Sequence, residues 1–193
     1  MALLPPKNRL WWNEPLHRME IVWIAIAFLW GVAMFCTMIW WHIYGHQNLS
    51  NESYRILPDV YAERVDAMID EYEVGEDEFG MPIVRPPVGS DVYLQARLWD
   101  WSPILELVEG ETYRLHISSI DWQHGFSLQP TNINLQVHPG YEMVVTLTPN
   151  ASGDFGIVCN EFCGIGHHLM TGRIKVLDRA AAKAAGMQLA AGE

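Results

Sequence analysis

The chain has 193 residues, a length that accommodates one domain of ordinary size with appendages. Of its three cysteines, Cys36 lies in an apolar block near the N-terminus, and the two that remain are too few for a disulfide-stapled secreted fold. The formal charge is −11, and the stretch after residue 44 holds 21 of the 23 acidic residues but only nine of the 12 basic ones. This acidity disfavours nucleic acid as a partner; it either attracts basic proteins or simply keeps the domain soluble.

The first predicted element is a transmembrane helix over residues 21–44, a segment without Asp, Glu, Lys or Arg. About 20 apolar residues suffice to cross the hydrocarbon core as a helix. Aromatic residues of the interfacial kind flank both ends of the segment: Trp11, Trp12, Trp23, Trp40, Trp41 and Tyr44. A cleaved signal peptide would have an apolar region of about 7–15 residues and a small-residue cleavage site, which the Trp-rich end does not resemble. We therefore expect an uncleaved anchor in the lipid bilayer.

The segment before the anchor, residues 1–20, is short and contains three basic residues, Lys7, Arg9 and Arg18. Basic residues accumulate on the cytoplasmic side of membrane spans. We therefore predict a cytoplasmic N-terminus and an extracytoplasmic, periplasmic location for everything after Gly45.

Residues 45–89 are predicted to be an acidic connector. Within it, apolar residues recur at roughly helical spacing between Asp59 and Tyr72, which indicates a short amphipathic helix. Such a helix could lie against a partner subunit, on the bilayer surface, or in solvent as a spacer. Several prolines and Gly89 mark the end of this stretch.

Residues 90–178 change to a period of two. Short alternating strands, such as those around Leu115, Leu135 and Val145, are separated by turn residues such as Pro139-Gly140. This pattern predicts an antiparallel sandwich or barrel of about 90 residues. The Ala-rich tail, residues 179–193, is expected to be a frayed helix.

One loop, Cys159 to Met170, concentrates the metal-binding chemistry. It holds two thiols, an imidazole and a thioether within twelve residues, with glycines that allow the backbone to curl. This soft-to-borderline ligand set favours copper over calcium, magnesium or manganese. His124, at the end of a strand and beside a glycine, is the best candidate for a further ligand.

Other histidines are weaker candidates on the pattern alone. His116 and His138 fall on outward-facing or turn positions and are expected at the surface. The spacing to Met170 does not decide between the neighbours His167 and His168.

Three simpler interpretations of the loop remain at this point. Cys159 and Cys163 could form a disulfide, which an extracytoplasmic location favours. Two cysteines and two histidines could hold a structural zinc ion, although Met170 then has no role. Met170 could also be an ordinary core residue.

The motif Cys-x-Glu-x-Cys-x-x-x-His-x-x-Met, from Cys159 to Met170, resembles the binuclear copper A signature of heme-copper oxidase subunit II. The resemblance extends to the segments 121–126 and 131–134, and it covers about half of the chain. A single membrane helix is similar to the short B-type members of that family. The resemblance implies an all-β, cupredoxin-like Greek-key sandwich or barrel, preceded by one N-terminal transmembrane α-helix.

The resemblance also implies a ligand set. Cys159 and Cys163 would bridge two copper ions, His124 and His167 would each bind one of them, Met170 would be a weak axial ligand, and Glu161 would contribute its backbone carbonyl. The Glu161 side chain, where some B-type members have an amide, would also be a candidate ligand of magnesium at the boundary with subunit I. Trp99 and Trp101 resemble the aromatic patch through which cytochrome c delivers its electron, and ordinary strand packing would explain them equally well.

The implied function is electron entry into a bacterial or archaeal terminal oxidase. The chain would accept electrons from cytochrome c or a similar basic donor and pass them to heme in subunit I, so that catalysis would belong to the oxidoreductase complex and not to the isolated chain. A copper A nitric oxide reductase uses a similar subunit. A stand-alone, membrane-anchored cupredoxin electron carrier is an alternative of another class, and a domain stapled by zinc or a disulfide is a third.

Overall fold

A computed structural model describes residues 15–45, 52–187 and 189 of the chain. It contains a helix α1, Arg18–Tyr44, that is long and apolar enough to cross a membrane. His17 precedes the helix and caps it, since its Nδ1 accepts a hydrogen bond from the Met19 nitrogen at 3.3 Å. The predicted anchor over residues 21–44 is thus confirmed as a helix. Of the predicted flanking residues, Lys7, Arg9, Trp11 and Trp12 lie outside the described residues.

The remainder of the described chain forms a second compact unit of β-strands with two further helices. The helices are α2, Pro58–Tyr72, and α3, Arg179–Ala184. The strands are β1 Glu52–Arg55, β2 Glu73–Glu76, β3 Pro82–Val84, β4 Asp91–Arg97, β5 Asp100–Ser102, β6 Ile104–Val108, β7 Tyr113–Ser119, β8 His124–Gln129, β9 Asn134–Val137, β10 Tyr141–Leu147, β11 Gly153–Cys159 and β12 Thr171–Leu177.

The strands form two sheets. The five-stranded sheet has the order β1-β10-β7-β4-β5, and the seven-stranded sheet has the order β2-β3-β6-β12-β11-β8-β9. The predicted sandwich is present, but the prediction that its strands are antiparallel is wrong for three pairs, because β4 pairs with β7, β6 with β12 and β3 with β6 in parallel. These parallel pairs join strands that do not follow one another directly in sequence, so local alternation does not report them.

One hydrophobic core connects the two sheets. Leu94 and Leu115 of the five-stranded sheet belong to the same buried cluster as Leu105, Phe126 and Ile157 of the seven-stranded sheet, and all five are 0% exposed. Burial of a leucine-sized side chain contributes about 1.5–3 kcal/mol. This core fixes the ends of β8, β11 and β12, which carry or adjoin the candidate ligands.

Helix α2 packs on the β domain itself. The sequence had left open whether this helix lies against a partner subunit, on the bilayer surface or in solvent. Its buried residues Tyr61, Val65 and Met68 lie four and three positions apart, so they form one face of the helix. The Tyr61 hydroxyl lies 3.0 Å from the carbonyl oxygen of Leu94 and 2.9 Å from that of His116. With β1, β2 and β3 also paired into the sheets, the folded unit begins well before the boundary predicted at Ser90.

The prediction that His116 is a surface residue is wrong, since it is 6% exposed. Tyr93 packs against its ring at 4.8 Å between centroids, and Tyr61 of α2 packs against Tyr93 at 6.1 Å. The His116 Nδ1 contacts the carboxylate of Glu142, which is itself buried and is 3.2 Å from Arg64 of α2. The helix therefore covers a sheet face that alternation alone assigns to solvent. His138, by contrast, is half-buried before β10.

Candidate metal centre

The loop between β11 and β12 forms the candidate metal centre. Cys159 is the last residue of β11, and its backbone nitrogen donates a hydrogen bond to the carbonyl of Met170 at 3.2 Å. This bond closes the loop at its base, immediately beside the antiparallel pair Val158 and Thr171. The two ends of the loop are therefore held together by the sheet.

A 3₁₀ turn over His167–Leu169 orients the second half of the loop. The His167 nitrogen donates to the Gly164 carbonyl at 3.1 Å, and the Met170 nitrogen donates to the His167 carbonyl at 3.2 Å. Gly164 has a φ of +125°, which favours glycine. In this turn Met170 is buried and His167 half-buried, whereas the neighbouring His168 is exposed. The structure thus directs His167, and not His168, toward the two cysteines.

Six potential ligand groups converge here. The Cys159 and Cys163 sulfurs lie 3.8 Å apart. The Nδ1 of His124 is 3.9 Å from the Cys159 sulfur, and the Nδ1 of His167 is 3.7 Å from the Cys163 sulfur. The Met170 sulfur lies 3.8 Å from that of Cys163. The carbonyl oxygen of Glu161 lies 3.3 Å from the Cys159 sulfur.

The centre is therefore organised around the two sulfurs, with a nitrogen on each side. A ligand nitrogen of His124 and both sulfurs lie within 4.8 Å of one another, so three groups alone could share one ion. His167 approaches the pair from the side of Cys163. Thiolate, imidazole and thioether in this arrangement fit copper by their softness.

A protein-family search finds no model that matches the chain. The cytochrome c oxidase subunit 2 of Thermus thermophilus is 32% identical to it over 130 residues, which cover 66% of this chain and 96% of that protein. The chain belongs to the cytochrome c oxidase subunit 2 family. A second family member, also from Thermus thermophilus, is 32% identical over 130 residues and is matched over 77% of its length.

A solved structure shares the fold of the present chain. A chain in the cryo-EM structure of a heme-copper terminal oxidase dimer superposes with a TM-score of 0.55 at 21% identity, over 83% of the present chain and 100% of that chain. The cupredoxin-like, mostly β architecture with an N-terminal apolar helix is thus confirmed.

The structure does not contain the alternative disulfide. The Cys159 and Cys163 sulfurs are free and 3.8 Å apart, whereas bonded sulfurs lie about 2.05 Å apart. Burial, followed by the hydrogen bond and the charge of Cys159, raises the pKa of the Cys163 thiol to about 11. A bound metal ion overrides such a shift, because a coordinating thiol loses its proton.

Asp121 orients the His124 ring, and sequence reasoning did not assign it this role. The His124 Nε2 lies 2.9 Å from Asp121 Oδ1, so Nδ1 is left to face the sulfurs. The nitrogens of Leu98 and Trp122 donate to the same carboxylate at 2.7 and 2.6 Å. Burial opposes the charge, but these hydrogen bonds, led by the one from His124, keep the pKa of Asp121 below its ordinary value. The sequence signal for this role was the position of Asp121, three residues before the candidate ligand His124.

The two predicted electron-entry tryptophans occupy different environments. Trp101 is 2% exposed and packs edge-on against His124 and Phe126, with ring centroids 6.4 and 5.5 Å away. It therefore cannot belong to a surface patch, which corrects that part of the prediction. Trp99 is 40% exposed, and its indole packs against the metal loop. The contact is so close that a Cβ added at Gly166 would lie 2.6 Å from the Cγ of Trp99.

The surface around the loop is apolar. Phe162, Ile165 and Leu169 are 79%, 90% and 69% exposed, and Trp99 continues the same neighbourhood. Large exposed apolar groups beside a functional site are typical of a protein–protein contact. Glu161, next to Phe162 in sequence, is half-buried and accepts a hydrogen bond from Gln136 Nε2 at 3.3 Å.

Proposed function

We propose that this chain is the electron-entry subunit of a heme-copper terminal oxidase. It would accept electrons singly from cytochrome c or a similar basic donor and pass them to heme in subunit I, where oxygen is reduced. The observation that carries the proposal is the convergence of Cys159, Cys163, His124 and His167 in a member of the cytochrome c oxidase subunit 2 family. The isolated chain would perform no catalysis.

The donor arrangement supports a binuclear copper A centre over a single ion. Cys159 has His124 Nδ1 and the Glu161 carbonyl beside it, and Cys163 has His167 Nδ1 and the Met170 sulfur beside it. If both thiolates were shared by two copper ions, His124 and His167 would provide one nitrogen for each ion, and the Glu161 carbonyl and the Met170 sulfur would remain as weaker donors. Such a pair would supply a site that takes up and releases a single electron. A tetrahedral zinc site would use two nitrogens and two sulfurs and leave the other two donors without a role.

The protein's contribution is a fixed set of ligands. His124 begins β8, Cys159 ends β11 and Met170 immediately precedes β12, and all three side chains are at most 3% exposed. Ligands on packed strands move little when the charge of a centre changes. The Asp121 carboxylate holds the His124 ring from its far side. A small structural change on reduction is the condition for fast electron transfer.

The charge of the chain supports a basic electron donor. Beyond residue 44 the sequence has 21 acidic and nine basic residues, a net charge of −12. Complementary charge increases the rate of association at low ionic strength. The exposed indole of Trp99, which touches the loop between Cys163 and His167, is the residue we propose for electron entry.

Helix α1 would anchor this domain to the membrane of a bacterial or archaeal cell, with the N-terminus in the cytoplasm and the copper domain in the periplasm. Its length of 27 residues and its lack of Asp, Lys and Arg beyond the first turn are suited to a lipid environment. This orientation is part of the proposal and follows the basic residues before the span.

We propose the Glu161 carboxylate as a ligand of magnesium at the boundary with subunit I. Carboxylate oxygen is the donor that magnesium prefers, and Glu161 is half-buried beside the loop. Glu161→Gln keeps the backbone carbonyl and is expected to leave the copper spectra unchanged while the assembled oxidase loses bound magnesium. Loss of copper, or unchanged magnesium, would contradict this assignment.

Matched substitutions test the ligand set. Cys159→Ser and Cys163→Ser should abolish binuclear copper and electron entry, whereas Cys36→Ser in α1 should change neither. His167→Ala should disrupt the centre and its exposed neighbour His168→Ala should not. Equal effects of a ligand variant and its control would refute the proposed assignment.

Met170→Leu tests the axial ligand separately. Leucine preserves much of the buried volume but removes the sulfur that lies 3.8 Å from Cys163. Copper should be retained and its reduction potential should shift. An unchanged potential and spectrum would count against a role for Met170 as a ligand.

A further inference from the structure

The polar residues of β9 face the metal loop and not only solvent. Asn134 and Gln136 lie on the same side of this edge strand, opposite the buried Leu135 and Val137. Asn134 Oδ1 accepts a hydrogen bond from Asn160 Nδ2 at 3.1 Å, and Gln136 Nε2 donates one to Glu161 at 3.3 Å. Two neighbouring loop residues are therefore bound by one strand.

Asn160 also contacts the strand that carries His124. Its backbone nitrogen donates to the carbonyl of Gly125 at 3.2 Å, which adds a hydrogen bond beyond the β8–β11 ladder, whose last pair is Cys159 and Phe126. Its side-chain oxygen occupies the space that a Cβ of residue 125 would need, and such a Cβ would lie only 2.7 Å from the Glu161 nitrogen. Any residue larger than glycine at 125 would displace Asn160.

We propose that Asn160 and Asn134 are positioning residues that form a clamp on the metal centre. Asn160 lies between Cys159 and Glu161 in sequence, and Gly125 directly follows His124. The clamp thus fixes the spacing between the strand ends that carry a sulfur and an imidazole ligand, with the edge strand β9 as its support. This inference rests on the proposed function in so far as the ligands hold copper, but the hydrogen bonds that it uses belong to the chain itself.

The first test uses copper retention by the full chain in detergent. Hydrogen bonds to metal-ligand side chains typically contribute ten- to hundredfold to metal affinity, and we take the lower end because the clamp holds the backbone beside the ligands and not a ligand side chain. We expect Asn160→Ala and Asn134→Ala each to lose copper to a chelator about tenfold faster than the wild type and to change the copper hyperfine splitting. The control is Asn132→Ala, because Asn132 is an exposed amide just before β9 for which the described residues show no hydrogen bond to the loop.

A double-mutant cycle separates a clamp from two unrelated effects. If the two amides act through their mutual hydrogen bond, the double variant Asn134→Ala with Asn160→Ala should lose copper little faster than Asn160→Ala alone. Multiplicative effects of the two substitutions, or variants that behave like Asn132→Ala, would overturn the proposal.

A second measurement does not require copper. In the metal-free chain, the backbone amide hydrogen of Asn160 is bonded to the Gly125 carbonyl. We expect it to exchange with solvent about fivefold faster in Asn134→Ala than in Asn132→Ala. This factor corresponds to the loss of about 1 kcal/mol, the typical net contribution of one hydrogen bond. Equal exchange rates would refute the clamp, whereas wild-type protein that takes up no copper would refute the proposed function and leave this result interpretable.

Discussion

The docking of α2 on the β domain gives a stability prediction for Tyr61→Phe. The Tyr61 ring is fully buried, and its hydroxyl lies within 3.0 Å of two backbone carbonyls, those of Leu94 in β4 and His116 in β7. Burial, with a smaller contribution from the negative charge of Glu142, raises the pKa of the Tyr61 phenol well above its ordinary value of 10. The group is therefore a neutral proton donor across the whole range of practical pH.

The magnitude follows from the single hydroxyl proton. It can form one full hydrogen bond or divide itself between the two carbonyls, so the substitution removes one hydrogen bond and not two. The net contribution of such a bond is about 1 kcal/mol, and a buried carbonyl left without a partner adds to the loss. We expect Tyr61→Phe to lower the free energy of unfolding of the β domain by about 1–2 kcal/mol.

The assay is chemical denaturation of the full chain in mild detergent, followed by near-ultraviolet circular dichroism. Tyr54→Phe is the control, since Tyr54 is 50% exposed and its hydroxyl is bonded to Glu52 at the surface. The control should change the free energy of unfolding by less than about 0.5 kcal/mol. If Tyr61→Phe were indistinguishable from it, α2 would not be docked as described.

Two further predictions concern the edges of the metal centre. Gly166→Ala should displace the Trp99 indole, since the added Cβ would collide with it, and should slow electron entry while copper is retained; unchanged entry kinetics would contradict the proposed role of Trp99. The pKa of Asp77 is lowered from 3.8, chiefly by the hydrogen bond that its carboxylate accepts from the Met81 nitrogen and then by Arg173. The ionised carboxylate therefore stabilises the folded state above pH 3.8. This stabilisation is lost as the pH falls through the lower pKa of the folded state. Asp77→Asn should therefore destabilise the domain at neutral pH and converge with the wild type in acid, and a difference in unfolding that persisted unchanged in acid would refute this assignment.

Local sequence patterns were sufficient for two parts of this molecule. The uncharged run 21–44 predicted α1, because an apolar segment of that length has few alternatives to a membrane helix. The ligand loop was equally local, since Cys159, Cys163, His167 and Met170 all lie within one hairpin connection. His124 came from outside the loop, but its position at a strand end beside Gly125 was visible in the sequence.

The remaining features depend on contacts between distant segments. His116 alternates with core residues and was expected to face solvent, but α2 covers that face of the sheet and buries His116 together with Glu142. A period of two identifies two faces of a strand and cannot show that each has a covering layer. The parallel pairing of β4 with β7 is likewise a long-range choice.

Polar residues on an edge strand illustrate the same difficulty at the site. Asn134 and Gln136 have the alternation of solvent-facing positions, and both are exposed, yet each is hydrogen-bonded to the metal loop. Trp101 shows the converse, because it was predicted to belong to an exposed aromatic patch and instead packs against His124 in the interior. Sequence indicates the type of these side chains, and only the assembled sheets indicate their partners.

The central claim is that two copper ions share one unpaired electron across the sulfurs of Cys159 and Cys163. The most direct test is the electron paramagnetic resonance spectrum of the oxidised full chain, together with its copper content. We predict a hyperfine pattern from one electron distributed equally over two copper nuclei, with two copper ions per chain. A spectrum of one isolated copper ion, or native protein without copper, would contradict the account.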